Sequence, residues 1–113
     1  MACYREHLQP ESHLAGALYP LNFSATDFKR CFPSIRISNE EGPFPAGEHL
    51  FVIRFQGEAS LTIGNHTEHA VAQDEALLGL VVFAEASFSA HWMIPDGASV
   101  YRNGRLIEGV QAP

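Results

Sequence analysis

The segment His66-Thr67-Glu68-His69 brings together side chains that bind metals and move protons. What it can do depends on the backbone beneath it. On a helix the two imidazoles would share a face, whereas on a strand, where side chains alternate, they point to opposite sides. The surrounding residues read as a strand, so both histidines are expected at the surface. A metal centre needs three or four converging ligands, and neither His49 nor His91 completes such a set by spacing. We therefore expect no metal and no cofactor. Nucleophilic chemistry has as little support. The chain contains no Gly-x-Ser-x-Gly elbow and no phosphate-binding glycine loop. Cys3 has only His7 near it in sequence, and Glu40-Glu41 are an adjacent loop pair, not a spaced acid–base couple. These absences lower the case for an enzyme without excluding one, because sites also assemble from distant residues.

Other residues suit binding better. Arg54 lies mid-strand between Ile53 and Phe55, on the same face as Val52 and Gln56. A guanidinium there can fork onto a carboxylate or phosphate of a ligand. Equally, it can cover an exposed face or pair with Glu48 or Glu68. Trp92, beside His91, can close a pocket with its ring and one donor, or serve as a core residue. The Phe51, Ile53, Phe55 stripe reads as core or as dimer interface.

The elements that would position these groups are mostly strands. Residues 1–20 carry Pro10, Gly16 and Pro20 without a helical stripe and read as an extended arm. Ser24 to Arg30 predicts one short helix, capped by Ser24 or Thr26 and stopped by Pro33. Alternation over 34–38 predicts a strand, and 39–47 a loop. Further strands are expected over Leu50–Gln56, Ala59–Ile63 and His66–Ala72, with turns at Gly57-Glu58 and Gly64-Asn65. Ala76–Phe83 is apolar throughout, as in a strand covered on both faces. Phe88, Ala90 and Trp92 alternate with Ser87, Ser89 and His91. Pro95-Asp96-Gly97 is a turn, and Val100–Ile107 a hairpin about Asn103-Gly104. Short strands about ten residues apart predict a sandwich or barrel.

The run from Phe51 through Gly57-Glu58 and Leu61-Thr62-Ile63 to the turn at Gly64, then a polar strand to Asp74 and an apolar run, resembles the central hairpin of the cupin superfamily. Gln73-Asp74 stands where that family has Gly-Asp, and the resemblance covers about residues 48–83. It implies an all-β, mostly antiparallel cupin-like β-barrel or jelly roll with one short N-terminal helix, and places Arg54 and Gln56 inside. The family's metal positions fall near Pro43, Pro45, Leu50 and Ala84, none of which can be a ligand. Glu48 and His49 are one or two residues out of register, and a single slip reverses the face of a strand side chain. The resemblance is therefore to metal-free barrels such as the sensor domains of AraC-type regulators. It implies a polar or anionic organic ligand held by Arg54, Gln56, His49, His91 and Trp92, in a barrel that pairs as a homodimer. Two other readings stand beside it. One is a cupin-type enzyme with a metal displaced onto Glu48, His49 and His91, or with acid–base groups alone. The other is an assembly domain without a pocket, since Val100–Ile107 also resembles hairpins of phage tail and baseplate proteins.

Composition bounds these readings. The 113 residues suit a single domain, 1–113, with 46% hydrophobic and 18% charged residues. Seven scattered Lys and Arg residues against a net charge of −6 supply no basic surface for nucleic acid. The longest apolar run has about nine residues where a membrane span needs ~20, so no membrane partner is expected. Cys3 and Cys31 show no CxxC spacing and read as two reduced thiols. The start of the chain lacks a signal-peptide pattern. Together these predict a cytoplasmic protein.

Overall fold

The computed structural model describes residues 18–21, 24–37 and 42–109, with side chains for 24–35 and 42–109. Its elements are β1 (Leu18–Leu21), α1 (Ala25–Cys31), β2 (Arg36–Ile37), β3 (Gly47–Ile63), β4 (His66–Ala84), β5 (Ala90–Met93), β6 (Ser99–Arg102) and β7 (Arg105–Gly109). They form one mostly antiparallel sheet in the order β1-β4-β3-β6-β7-β2, with β5 also paired to β3 and β2 parallel to β7. Among the described residues the end strands β1 and β2 do not pair with each other, so the sheet is open.

Two long strands form its spine. β3 has 17 residues and β4 has 19, well beyond the usual strand of about 5–6. Two turns or breaks expected within them do not exist. Gly57-Glu58 is not a turn, and β4 does not stop before Ala76. Instead Phe55 pairs with Ala76 and Gly57 with Ala72, so Gln73, Asp74 and Glu75 bulge opposite the single residue Gln56. Gly57 takes φ +112° there. A glycine that could make a turn makes a bulge just as well, because both exploit positive φ. The real turn is Gly64-Asn65, as the sequence predicts.

β4 occupies one side of β3 throughout, leaving the other side for β6 at residues 51–54 and β5 at residues 60–63. Both faces of the spine are buried. One carries Phe51, Ile53, Phe55, Leu61, Leu80 and Val100, joined by Phe44. The other carries Leu50, Val52, Val81, Tyr101 and Leu106, packed against Phe28 of α1. The apolar run of β4 divides accordingly, with Leu78, Leu80 and Val82 on the first face and Leu77, Val81 and Phe83 on the second.

Helix α1 forms where the sequence places it. Ser24 accepts the Asp27 N–H at 3.1 Å while Asp27 reaches back to the Ser24 N–H, a reciprocal cap that satisfies two end donors. Phe28, Cys31 and Phe32 fall at i, i+3 and i+4 and turn to the sheet, with the Phe28 ring 4.9 Å from that of Tyr101. The hairpin at Asn103-Gly104 also forms, both residues having positive φ. Asn103 does more than turn the chain. Its N–H donates to the Leu50 carbonyl and its Oδ1 accepts the Leu50 N–H, both at 2.8 Å, lengthening the β3–β6 ladder by one step.

Cys31 is disulfide-bonded, which corrects the expectation of two reduced thiols. Cys3, the chain's other cysteine, lies outside the described residues, as does the stretch 1–17 expected to be an extended arm. Spacing tests for short cysteine motifs and carries no signal of a longer-range bond at Cys31. Disulfides belong to oxidising compartments, so the cytoplasmic reading loses one of its premises. No helix among the described residues is long and apolar enough to cross a membrane.

The hairpin and helix meet at Gly104, where a Cβ would lie 2.2 Å from the Phe32 ring. Gly64 has a similar positive φ with nothing within 4 Å. Gly64→Ala should therefore cost only the left-handed backbone penalty, about 1–2 kcal/mol. Gly104→Ala should add about 1–3 kcal/mol for displacing Phe32. Urea unfolding of the two variants measures the difference, and equal losses would mean that Phe32 does not pack on the hairpin.

Candidate functional site

Between α1 and the sheet lies a cavity of about 270 Å³. Phe28 and Phe32 wall it from the helix side, Tyr101 and Leu77 from the sheet, and Arg54 and Glu75 are its charged groups within the sheet. Lys29 stands exposed on α1 at its edge. The sheet produces this arrangement by alternation. Arg54 follows Leu50 and Val52 on the helix-facing side of β3, and Leu77 is its cross-strand neighbour on β4.

The Arg54 side chain is only 16% exposed. Its Nη2 donates to Ser99 Oγ at 3.0 Å, its Nη1 donates to the Glu75 carboxylate, and it also hydrogen-bonds Tyr101. Burial opposes its charge, but the hydrogen bonds and charges of Tyr101 and Glu75 outweigh that cost, so its pKa lies above the ordinary value. The guanidinium is thus held from below by buried Ser99 and Tyr101. Glu75, which meets it from the outside, is 57% exposed.

The residues expected around a ligand do not converge. Arg54 faces α1, not the interior that the cupin resemblance assigns it. The opposite face instead belongs to the odd-numbered residues Phe51, Ile53 and Phe55, which are core and not a dimer interface. His49 lies on that opposite face and is 3% exposed. Arginine can only donate, so the 3.0 Å contact of Arg102 with His49 Nδ1 makes that nitrogen the acceptor, and Nε2–H donates to the Pro45 carbonyl at 2.8 Å. The ring packs among Phe44, Phe51 and Phe88, and Arg102 also lies over the Phe44 ring. His49 is a strut that ties the 42–46 segment to β3 and β6. Trp92 packs on the same core, with its indole N–H donated to Glu108. Gln56 is exposed at the bulge and donates to the Gln73 carbonyl at 2.9 Å. His91 is exposed opposite Thr62.

His66 and His69 lie on opposite faces, as a strand requires. His66 Nε2 meets Glu68 at 2.7 Å, whereas His69 Nε2 meets Glu58 at 3.2 Å. No group of three or more His, Cys, Asp or Glu side chains suited to a metal occurs among the described residues. A shallower groove of about 200 Å³ runs between Glu58, His69, Met93 and Pro95, but its polar groups are exposed, where ion pairs contribute little.

Two site residues escaped the sequence. Glu75, not Glu48 or Glu68, pairs with Arg54, because the bulge shifts the register just before Ala76. Tyr101 read only as a hairpin residue. The alternation Val100-Tyr101-Arg102 was the available signal, since it gives Tyr101 the face opposite Val100.

No family model matches the chain, and comparison with curated proteins and with solved structures finds no match. What stands is the class of fold: a mostly antiparallel β-sheet domain with one short helix on one face.

If His49 is a strut, His49→Leu should cost about 2–3 kcal/mol, since it strands the Pro45 carbonyl and an Arg102 donor. His91→Ala should change stability by no more than about 0.5 kcal/mol. Thermal and urea unfolding compare them, and a neutral His49→Leu would return His49 to the list of candidate binding residues.

Proposed function

We propose that this domain binds a small anionic organic molecule in the cavity between α1 and the sheet, with Arg54 as the group that recognises the anion. The observation that carries the reading is a nearly buried guanidinium within a cavity whose other walls are largely apolar. Pockets for small molecules combine such walls with a few well-placed polar groups. Arg54 supplies several donors in a rigid fork, and Ser99 and Tyr101 hold that fork in place. Lys29 adds a second positive charge at the edge of the cavity in a chain of net charge −6.

A cupin-like barrel with an interior ligand is a finer reading that this proposal does not need. The face away from α1 is filled by Phe44, Phe51, Phe55, Leu61 and their neighbours, so the helix-covered side is the more open one. A homodimer is likewise compatible with the cavity but not required by it.

Thermal-shift measurements with small monocarboxylic acids, inorganic phosphate and neutral sugars test the proposal. An acid that binds should stabilise the chain by about 2.7 kcal/mol at one hundred times its Kd. Arg54→Gln should abolish that stabilisation. Stabilisation by sugars alone, or an acid effect that survives Arg54→Gln, would refute the assignment.

A further inference from the structure

We infer that the ligand is a small monocarboxylate with a flat apolar body, and that Glu75 is a tethered stand-in for its carboxylate, displaced from Arg54 on binding. This rests on the cavity being the binding site. Two kinds of contact at Arg54 bear on this. Ser99, fully buried, and Tyr101, nearly so, grip the guanidinium from the sheet. Glu75 meets Nη1 from solvent and is 57% exposed.

Gln73, Asp74 and Glu75 are the β4 residues with no Cα partner on β3, because the bulge sets them against Gln56 alone. Withdrawing the Glu75 carboxylate therefore breaks no cross-strand pair at that residue. Leaving Arg54 without it would be costly if nothing replaced it, since a charge with little exposure would lose its counterion. An incoming carboxylate removes that cost by exchanging one charge-assisted bond for another of the same kind.

The same geometry sets the ligand class. The edge of the guanidinium that Glu75 now occupies accepts one carboxylate, and among the described residues no second cation lies deep in the cavity to balance a dianion. A dianionic phosphate would thus carry an unpaired charge against apolar walls. Phe28, Phe32, Tyr101 and Leu77 offer ring faces and aliphatic surface to a flat body. The volume of about 270 Å³ lies at the small end of ligand pockets.

Calorimetric titration with trans-cinnamate, and with cinnamamide as a neutral control of the same shape, tests the inference on wild type, Glu75→Gln and Arg54→Gln. Removing the competing charge should tighten cinnamate binding in Glu75→Gln by about three- to fivefold, the scale of a partly exposed ion pair. The amide should not discriminate between these two chains, and Arg54→Gln should lose cinnamate. Glu75→Gln lies at an exposed position, and its urea midpoint checks that it folds like wild type. Unchanged or weaker cinnamate binding in Glu75→Gln, with Arg54 still required, would overturn the stand-in while leaving the pocket intact. Binding of inorganic phosphate but not cinnamate would overturn the ligand class alone. Failure of every acid and of phosphate to bind any of the chains would overturn the pocket itself, and the inference with it.

Discussion

The bulge that sets Gln73, Asp74 and Glu75 against Gln56 is the constraint on which the molecule depends. Without it β3 and β4 would pair evenly, and Ala72 would fall opposite Ala59 instead of Gly57, shifting the far half of the ladder by two residues. Three residues against one preserve the inside–outside alternation on both strands, because the two extra residues equal one full side-chain period. Ala70 and Ala72 beyond the bulge therefore join the same core as Leu78 and Leu80 before it. On the other edge of β3, residues 55–59 pair with neither β5 nor β6, and the turn at Asp96-Gly97 carries the chain between those two strands. Glu75 owes its exposed place beside Arg54 to the same irregularity.

A spine buried on both faces leaves little room for polar groups, and two that remain on β3, His49 and Arg54, lie on opposite faces. On the side away from α1 His49 is consumed by structure, with both ring nitrogens engaged and aromatic rings around it. On the helix side Arg54 is held by Ser99 and Tyr101, yet its outer contact is an exposed carboxylate. The difference between a closed set of partners and one with an exchangeable member is what separates a strut from a candidate binding group here.

Much of the fold was legible because its signals are local. The Ser24–Asp27 cap, the Asn103-Gly104 turn, the alternation through Phe88, Ala90 and Trp92 and the two-sided run from Ala76 all depend on neighbours within a few residues. What failed was non-local. Gly57 is equally at home in a turn or a bulge, and only the partner strand decides. The disulfide of Cys31 and the bonds of His49 to Arg102 and Leu50 to Asn103, each spanning 53 positions, leave no periodic trace. The stretch around Arg54 resembles a cupin hairpin, but resemblance of a hairpin does not say which of its faces meets a helix. Here that face is the one bearing Arg54, which moves the candidate site from the inside of a barrel to the outside of a sheet.

The most direct test of this account is a two-dimensional NMR titration of isotope-labelled protein with the acid that stabilises it most, following the Arg54 Nε–H resonance and the backbone amides together. The account predicts a shift of the Arg54 signal with changes clustered at Phe28, Leu77 and Tyr101, on both sides of the cavity. Changes confined to Phe44, His49, Phe88 and Trp92, with Arg54 unmoved, would place the ligand on the face away from α1 and contradict it.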